Sequence, residues 1–152
     1  DAPDCVLSGI NAGGNLGRHD IYISGTVAAA REAAFHGFRA LAVSHFLRGD
    51  LPFSWEIAIG RARRAIEGLI GEALGPGEIW NINLPHNPAG APEPAIVHCD
   101  PEPLPLEVAF EKAGDDRELY RYTGRYQHRA HRDGSDVARC FGGDIAVSRV
   151  GL

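Results

Sequence analysis

The sequence predicts an α/β fold in which a mainly parallel sheet carries helices on both faces. Three short apolar runs, at 5–8, 40–44 and 80–84, have the length of buried strands. Two stretches with strong helix formers, 27–36 and 54–73, separate these runs. This strand–helix–strand order favours parallel pairing, because each helix returns the chain to the same edge of the sheet.

The first strand and helix are separated by a segment rich in glycine. The strand at 5–8 ends where a loop dense in glycine and asparagine begins, at 9–17. Ser24-Gly25-Thr26 then precedes the helix at 27–36, which ends at Gly37, a residue that commonly follows the last helical turn. We therefore expect a strand, a long loop and a helix in this order.

The second helix is predicted from apolar residues at three- or four-residue spacing, which form one face of a helix. Ser54 is placed to cap its first turn, and Gly75-Pro76-Gly77 ends the segment. The strand at 80–84 follows and stops at Pro85. The apolar face predicted to meet the sheet consists of Trp55, Ile59, Ala62, Ile66, Leu69 and Ala73.

The composition changes after Pro85, since six of the ten prolines lie within 86–105. The only strand candidate there is short, at 95–98. Tyrosines mixed with many charges at 107–132 predict exposed strands or a hairpin arm. The alternating pattern of 144–150 predicts a final strand.

Composition excludes several classes of protein. The net charge is -5 and the basic residues are scattered, which argues against a surface for nucleic-acid polymers. No window approaches the roughly 18 consecutive apolar residues of a membrane span. Three widely spaced cysteines without a C-x-x-C pair favour a reducing compartment, so we expect a cytoplasmic protein. A chain without methionine also predicts a processed form or a fragment.

Ser24, Gly25 and Thr26 form the best candidate site for an anion. The first turn of a helix has free N–H groups and a partial positive charge, and the two hydroxyls add further donors. The alternative is that one hydroxyl simply caps the helix. Asn11 could offer its side-chain oxygen to a cation such as Mg²⁺, or could be a turn asparagine bonded to nearby backbone.

Several well-known site motifs are missing from the sequence. The glycines at 9, 13, 14 and 17 do not fit G-x-G-x-x-G, and no G-K-[ST] triplet occurs, which excludes a P-loop. There is also no G-x-S-x-G and no H-E-x-x-H. A nicotinamide-dependent oxidoreductase is therefore a weak alternative.

Five blocks of this chain resemble the SurE family of survival-protein nucleotidases. The similarity covers essentially the whole chain in the right order, and its first block is the most specific. The blocks are Ser8-Gly9-Ile10-Asn11, then 24–32, Asn81-Ile82-Asn83-Leu84-Pro85, Gly134-Ser135-Asp136-Val137 and the final stretch 143–150.

The resemblance implies a Rossmann-like three-layer α/β core and an extended C-terminal hairpin that exchanges between subunits. Residues 1–85 would form the core, without its N-terminal strands and helices, and 86–152 the arm and oligomerisation region of the same domain. We therefore expect a homodimer or homotetramer. A sheet without its first strand would also expose an edge, so we expect the chain to associate.

The resemblance also implies an activity and a set of site residues. The family is one of metal-dependent phosphomonoesterases that act on nucleoside 5′- and 3′-monophosphates, which predicts Mg²⁺ or Mn²⁺ as cofactor. Asn11 would be a metal ligand, and Ser24, Gly25 and Thr26 would line the phosphate site. The family's N-terminal Asp-Asp pair has no counterpart in this sequence, so no catalytic residue is assigned. The alternative is a non-catalytic nucleotide- or phosphate-binding module that acts through assembly.

Overall fold

The computed structural model of the chain describes residues 3–114 and 119–151. The described strands are β1 (Cys5–Ala12), β2 (Arg39–His45), β3 (Ile79–Leu84), β4 (Ile96–His98), β5 (Phe110–Lys112), β6 (Tyr120–Tyr122) and β7 (Ile145–Val150). The described α-helices are α1 (Gly17–Ile23), α2 (Gly25–Phe35), α3 (Trp55–Leu69) and α4 (Asp136–Phe141), and a 3₁₀ turn covers Tyr126–His128.

The centre of the fold is a five-stranded sheet with the order β1-β2-β3-β7-β4. β1, β2 and β3 are parallel neighbours, β7 runs antiparallel to β3, and β4 runs parallel to β7. The predicted α/β class with a mainly parallel sheet is confirmed. The β1–α2–β2–α3–β3 order explains it, because each helix connects neighbouring parallel strands.

Alternate residues of β2 face the two helical layers. Ala40 and Ala42 pack beneath α2, where small side chains allow the helix to lie close to the sheet. Leu41 and Val43 point to the opposite face and pack against α3. α4 packs beside β7, where Val137 contacts Ala146 in a third apolar cluster. The result is a three-layer arrangement with the sheet in the middle.

The second half of the chain contributes to the same sheet. Within 86–152, β4 and β7 complete the sheet and α4 packs on it. β5 and β6 form a separate antiparallel pair, in agreement with the hairpin predicted for this region. Residues 115–118, which follow β5 and precede β6 in the sequence, are outside the described residues.

The first strand is longer than predicted. β1 continues through the expected loop as far as Ala12, with a register irregularity between Ser8 and Asn11. Gly9 lies there with φ +127°, and a Cβ at this position would collide with the carbonyl oxygen of Val43. The glycine was interpreted as the end of the strand, but it allows the strand to approach β2 closely.

The expected loop also contains a helix that the sequence analysis missed. Residues 17–23 form α1, which packs on α2 through the buried side chain of Ile21. With only seven residues, α1 is too short to show a helical apolar period. α2 then begins at Gly25, two residues earlier than predicted, and the chain after it turns at Gly37 with φ +82°.

The predicted inner face of α3 was partly wrong. Ala62 and Leu69 are buried as expected, but Trp55 and Ile59 are exposed and the helix ends at Leu69, before Ala73. The residues that face the sheet are Ala58, Arg61, Ala62, Ala65 and Leu69. Arg61 is tolerated there because its guanidinium donates to the carbonyl oxygen of Pro85 at 2.8 Å, beyond the end of β3.

In the described part of the chain, no helix combines the length and apolar content needed to cross a membrane. All three cysteines are free thiols. Burial raises the pKa of Cys99 to about 11, and it raises the pKa of Cys140 well above the usual value. Both thiols are therefore protonated near neutral pH.

A single buried carboxylate joins three segments of the chain. Asp136 accepts hydrogen bonds from the backbone N–H groups of Gly17, Glu102 and Val137, at 2.7 to 2.8 Å. Ser135 beside it caps α4 by accepting from the N–H of Ala138. Asp136 is completely buried, so no water molecule can reach these N–H groups and accept their hydrogen bonds in its place.

We expect Asp136→Ala to lower the free energy of unfolding by about 3 kcal/mol or more, because three buried N–H groups lose their acceptor. Asp133→Ala is the matched control, since that carboxylate is exposed, and its effect should stay within about 0.5 kcal/mol. Urea denaturation measures both values. A loss below about 1 kcal/mol for Asp136→Ala would contradict the role given to this carboxylate.

Candidate functional site

The carboxyl ends of β1, β2 and β3 meet at one edge of the sheet, and a buried polar network organises that edge. The backbone N–H of Asn15 donates to Asn83 Oδ1 at 2.8 Å, and its side-chain Nδ2 donates to Ser44 Oγ at 2.6 Å. The carbonyl oxygen of Asn15 accepts from Asn81 Nδ2 and from Asn83 Nδ2, both at 3.0 Å. The segment that follows β1 is therefore fixed against β2 and β3.

Asn11 lies near the end of β1, at this edge, and its side chain is half-buried. Its Nδ2 donates to the carbonyl oxygen of Gly13 at 2.8 Å, the local backbone bond considered as the alternative for this residue. That bond orients the amide and turns Oδ1 away from Gly13. Among the described residues, none donates a hydrogen bond to Oδ1, so this oxygen is available as a donor atom for a cation.

Ser24, Gly25 and Thr26 form the beginning of α2. Ser24 caps the helix, because its Oγ accepts from the N–H of Val27 at 3.1 Å. A Cβ on Gly25 would meet nothing within 4 Å, so the space in front of this turn is open. α2 connects the parallel strands β1 and β2, so its N-terminus faces the edge where Asn11 lies.

Two histidines that the sequence analysis did not single out are His45, the last residue of β2, and His86, two residues after β3. The Nδ1–H of His45 donates to the carbonyl oxygen of Phe46 at 2.7 Å, and the ring packs edge-on against His86 at 5.3 Å. His86 Nδ1 accepts from the N–H of Arg48 at 2.9 Å. Burial lowers the pKa of His45, and the nearby His86 and Arg61 lower it further.

A desolvated ion pair holds α1 in place. Arg129 Nη1 lies 3.1 Å from Asp20 Oδ2 and also donates to the carbonyl oxygen of Leu16 at 3.1 Å. The hydroxyl of Tyr126 donates to the same Asp20 oxygen. Burial, followed by this bond to Asp20, raises the pKa of Tyr126, which therefore remains a neutral donor.

The described residues do not include a complete metal site. No cluster of three or more His, Cys, Asp or Glu side chains in residues 3–114 and 119–151 is arranged to bind a metal ion. Asn11 offers one neutral oxygen, whereas Mg²⁺ normally binds through one or two carboxylates. These residues therefore do not complete a metal site by themselves.

The order of elements and the residues at this edge can be compared with known proteins. The family described as "Survival protein SurE" matches residues 1–99. The chain belongs to the SurE family. The SurE protein from Aquifex aeolicus has the same fold, with a TM-score of 0.78 and 27% identity over 98% of this chain and 59% of that chain.

Two cyanobacterial proteins are also similar to this chain, and both carry the name "Putative 5'-nucleotidase". The protein from Nostoc sp. is 47% identical over 95% of this chain and 62% of its own length. The protein from Synechocystis sp. is 43% identical over 97% of this chain and 64% of its own length. The chain thus spans less than two thirds of the length of these SurE-like relatives.

The structure adds the Asn15 network to the SurE motifs recognised in the sequence. Asn81 and Asn83 belong to the motif at 81–85. They are two residues apart in a strand, and this spacing is the sequence signal that their side chains share one face of the sheet. Ser44 lies on the neighbouring strand, paired directly with Asn83. No sequence pattern linked Asn15 to them, because it is 68 residues from Asn83.

His45 predicts a pH dependence of stability. Its pKa is lower in the folded protein than the value near 6.5 expected for the unfolded chain. As the pH falls through about 6.5, the unfolded chain therefore binds a proton at this histidine before the folded protein does. The free energy of unfolding should therefore fall as pH falls from about 7.5 to 5.5, with a slope of up to about 1.4 kcal/mol per pH unit for this group.

The variant His45→Asn retains a donor for Phe46 and should reduce this pH dependence. The control is His36→Asn, which changes an exposed histidine that lies 3.4 Å from Glu32. Urea titrations at several pH values give the slopes. Equal slopes for wild type and His45→Asn would contradict the assignment.

Proposed function

We propose that this protein is a metal-dependent phosphomonoesterase that hydrolyses nucleoside 5′-monophosphates, and 3′-monophosphates as well. Membership of the SurE family and the names of the two cyanobacterial relatives support a nucleotidase. The observation that carries the proposal is the open N-terminus of α2, which faces the same edge of the sheet as Asn11.

The residues of the chain would act by holding the phosphate. Free N–H groups in the first turn of α2 and the hydroxyls of Ser24 and Thr26 would bind phosphate oxygens, favoured by the positive end of the helix dipole. Gly25 leaves room for the oxygens to approach the backbone. In hydrolysis, water adds to phosphorus, the ester P–O bond breaks, and the nucleoside leaves as an alcohol.

Asn11 would supply one ligand to the divalent metal through Oδ1, and the other ligands would come from outside the described residues. Mg²⁺ or Mn²⁺, when bound, supplies positive charge that offsets the charge developing on the phosphate oxygens. We assign no catalytic base, because the family's Asp-Asp pair has no counterpart in this sequence. Three free thiols fit a reducing, cytoplasmic location.

Ser24 and Ser54 provide a matched pair of variants to test the phosphate site. Both side chains cap a helix, Ser24 by accepting from Val27 N and Ser54 by accepting from Ile57 N. Replacing either by alanine should cost about 1 kcal/mol of stability. Only Ser24→Ala should also weaken phosphate binding, so we expect it to reduce kcat/KM for 5′-AMP about tenfold or more.

The assay measures inorganic phosphate released from 5′-AMP and 3′-AMP with Mn²⁺ or Mg²⁺, using the chain in its full natural reading frame. Asn11→Ala should reduce turnover at limiting metal, and excess metal should restore part of it. Equal losses for Ser24→Ala and Ser54→Ala would contradict the phosphate site. Tight binding of 5′-AMP without phosphate release would favour the second candidate, a non-catalytic nucleotide-binding module.

We also propose that the chain assembles as a homodimer or homotetramer through its hairpin. Phe110, Tyr120 and Tyr122 on β5 and β6 are 59%, 64% and 47% exposed, a large aromatic area for a pair of short strands. A two-stranded pair of this length is not stable in isolation, so burial against a second copy would stabilise it.

Light scattering tests this assembly. Wild type should have a mass at least twice that of one chain, and the double variant Phe110→Ser with Tyr122→Ser should shift towards the monomer. Exposed Phe35 is the control position, because it lies on α2 and away from the hairpin. A monodisperse wild-type monomer would overturn the proposal.

A further inference from the structure

A large cavity is lined by residues other than those of the candidate phosphate site, although one of them, Val27, follows Thr26 directly in α2. It has a volume of about 810 Å³ and is bounded by α1, α2, the start of β3, the end of β7 and the loops 100–103 and 132–135. Gly77 and Ile79 mark the amino end of β3, whereas Asn11 lies at the carboxyl end of the parallel strand β1. Among the described residues that line it, none is Asn11 or belongs to Ser24–Thr26.

Two helices present their side chains to this cavity. Arg18, Ile21 and Tyr22 are separated by three and four residues, so they share one face of α1. Val27 and Arg31 are one turn apart on α2. Ile21 and Val27 are buried and form an apolar floor, while the ring of Tyr22 is 74% exposed at the rim.

Three arginines at the cavity have no guanidinium partner among the described residues. Arg18 and Arg132 donate hydrogen bonds through their backbone N–H groups but not through their side chains. The side chain of Arg31 also forms no hydrogen bond with a described residue. Arg63, by comparison, is paired with Glu67 at 2.7 Å. These three cations outnumber the two carboxylates of the cavity, which belong to Asp100 and Asp133.

Arg149 also borders the cavity, but its guanidinium is already engaged. It lies over the ring of Trp80 at 5.2 Å and 3.9 Å from Glu78. Trp80 belongs to the cluster on the α3 face, whereas Ile79 belongs to the α2 face. Within the described part of the chain, the unpaired guanidinium groups at the cavity are therefore those of Arg18, Arg31 and Arg132.

We propose that this arginine cavity binds a small organic anion that contains both a phosphate or carboxylate group and a flat ring. Guanidinium groups bind such anions through paired N–H donors. Tyr22 offers a ring for stacking, and Ile21 and Val27 offer an apolar floor. The volume is within the range of small-molecule sites. Its lining includes none of Ser24, Gly25 and Thr26, so its existence does not depend on the proposed function.

The test is isothermal titration of the chain in EDTA with 5′-AMP, and with its two parts, adenosine and inorganic phosphate. We expect saturable binding of 5′-AMP to the wild type. Arg31→Ala should weaken it about tenfold, which corresponds to about 1.4 kcal/mol. Arg18→Ala changes an exposed residue and should weaken it as well, so the test does not depend on the folding of one variant.

Tyr22→Ala separates the ring contact from the anion contact. It should weaken binding of 5′-AMP and leave binding of inorganic phosphate unchanged. Arg63→Ala is the matched control, since it removes an exposed arginine of α3 that is absent from the cavity, and it should leave the affinity unchanged.

Three results would overturn the proposal. The first is the absence of saturable binding of 5′-AMP to the wild type. The second is an equal loss for Arg31→Ala and Arg63→Ala, which would show non-specific attraction. The third is a loss for Ser24→Ala but not for Arg31→Ala, which would place the nucleotide at the start of α2 and support the proposed function alone.

Discussion

The carboxyl edge of the sheet depends on the hydrogen bonds of Asn15. Its N–H, its side-chain amide and its carbonyl oxygen all bond to side chains of β2 and β3, in a place where water is excluded. Buried polar groups are costly when they lose their partners, and these four bonds depend on one placement of Asn15, so they permit very few positions for the segment after β1. Asn11 precedes that segment and α1 follows it, so both are positioned by the same constraint.

The second half of the chain reinforces the position of α1 from the other side. Asp136 accepts the N–H of Gly17, the first residue of α1, and Arg129 binds both Asp20 and the carbonyl oxygen of Leu16. These contacts span more than 100 residues of sequence. Because these groups are buried, removing one partner leaves an uncompensated charge or donor, and the protein then loses more stability than one exposed hydrogen bond provides. The region after Pro85 is thus part of the structural support of the site.

Short apolar runs predicted the core strands, and helix formers and apolar spacing predicted the two longer helices, because these are local properties of the sequence. They could not predict α1, which is seven residues long and is stabilised by Asp136 and Arg129 from distant segments, the latter through its ion pair with Asp20 of α1. The inner face of α3 was wrong for a similar reason, since Arg61 is buried by a bond to Pro85 that no spacing reveals. Motif resemblance indicated Asn11 and Ser24–Thr26 as candidate site residues, but the polar network at this edge could be seen only from the three-dimensional pairing of β2 with β3.

The charge of the chain limits where it can hold an anion. With a net charge of -5, its overall field repels anions, so binding requires local positive charge that outweighs it. The start of α2 provides N–H dipoles that are part of the backbone and remain when side chains are changed. The arginine cavity provides three formal charges, and a single substitution removes one of them. The N–H groups at the start of α2 suit a phosphate that is held at a fixed position for reaction. Guanidinium groups on long side chains suit reversible binding without a chemical step.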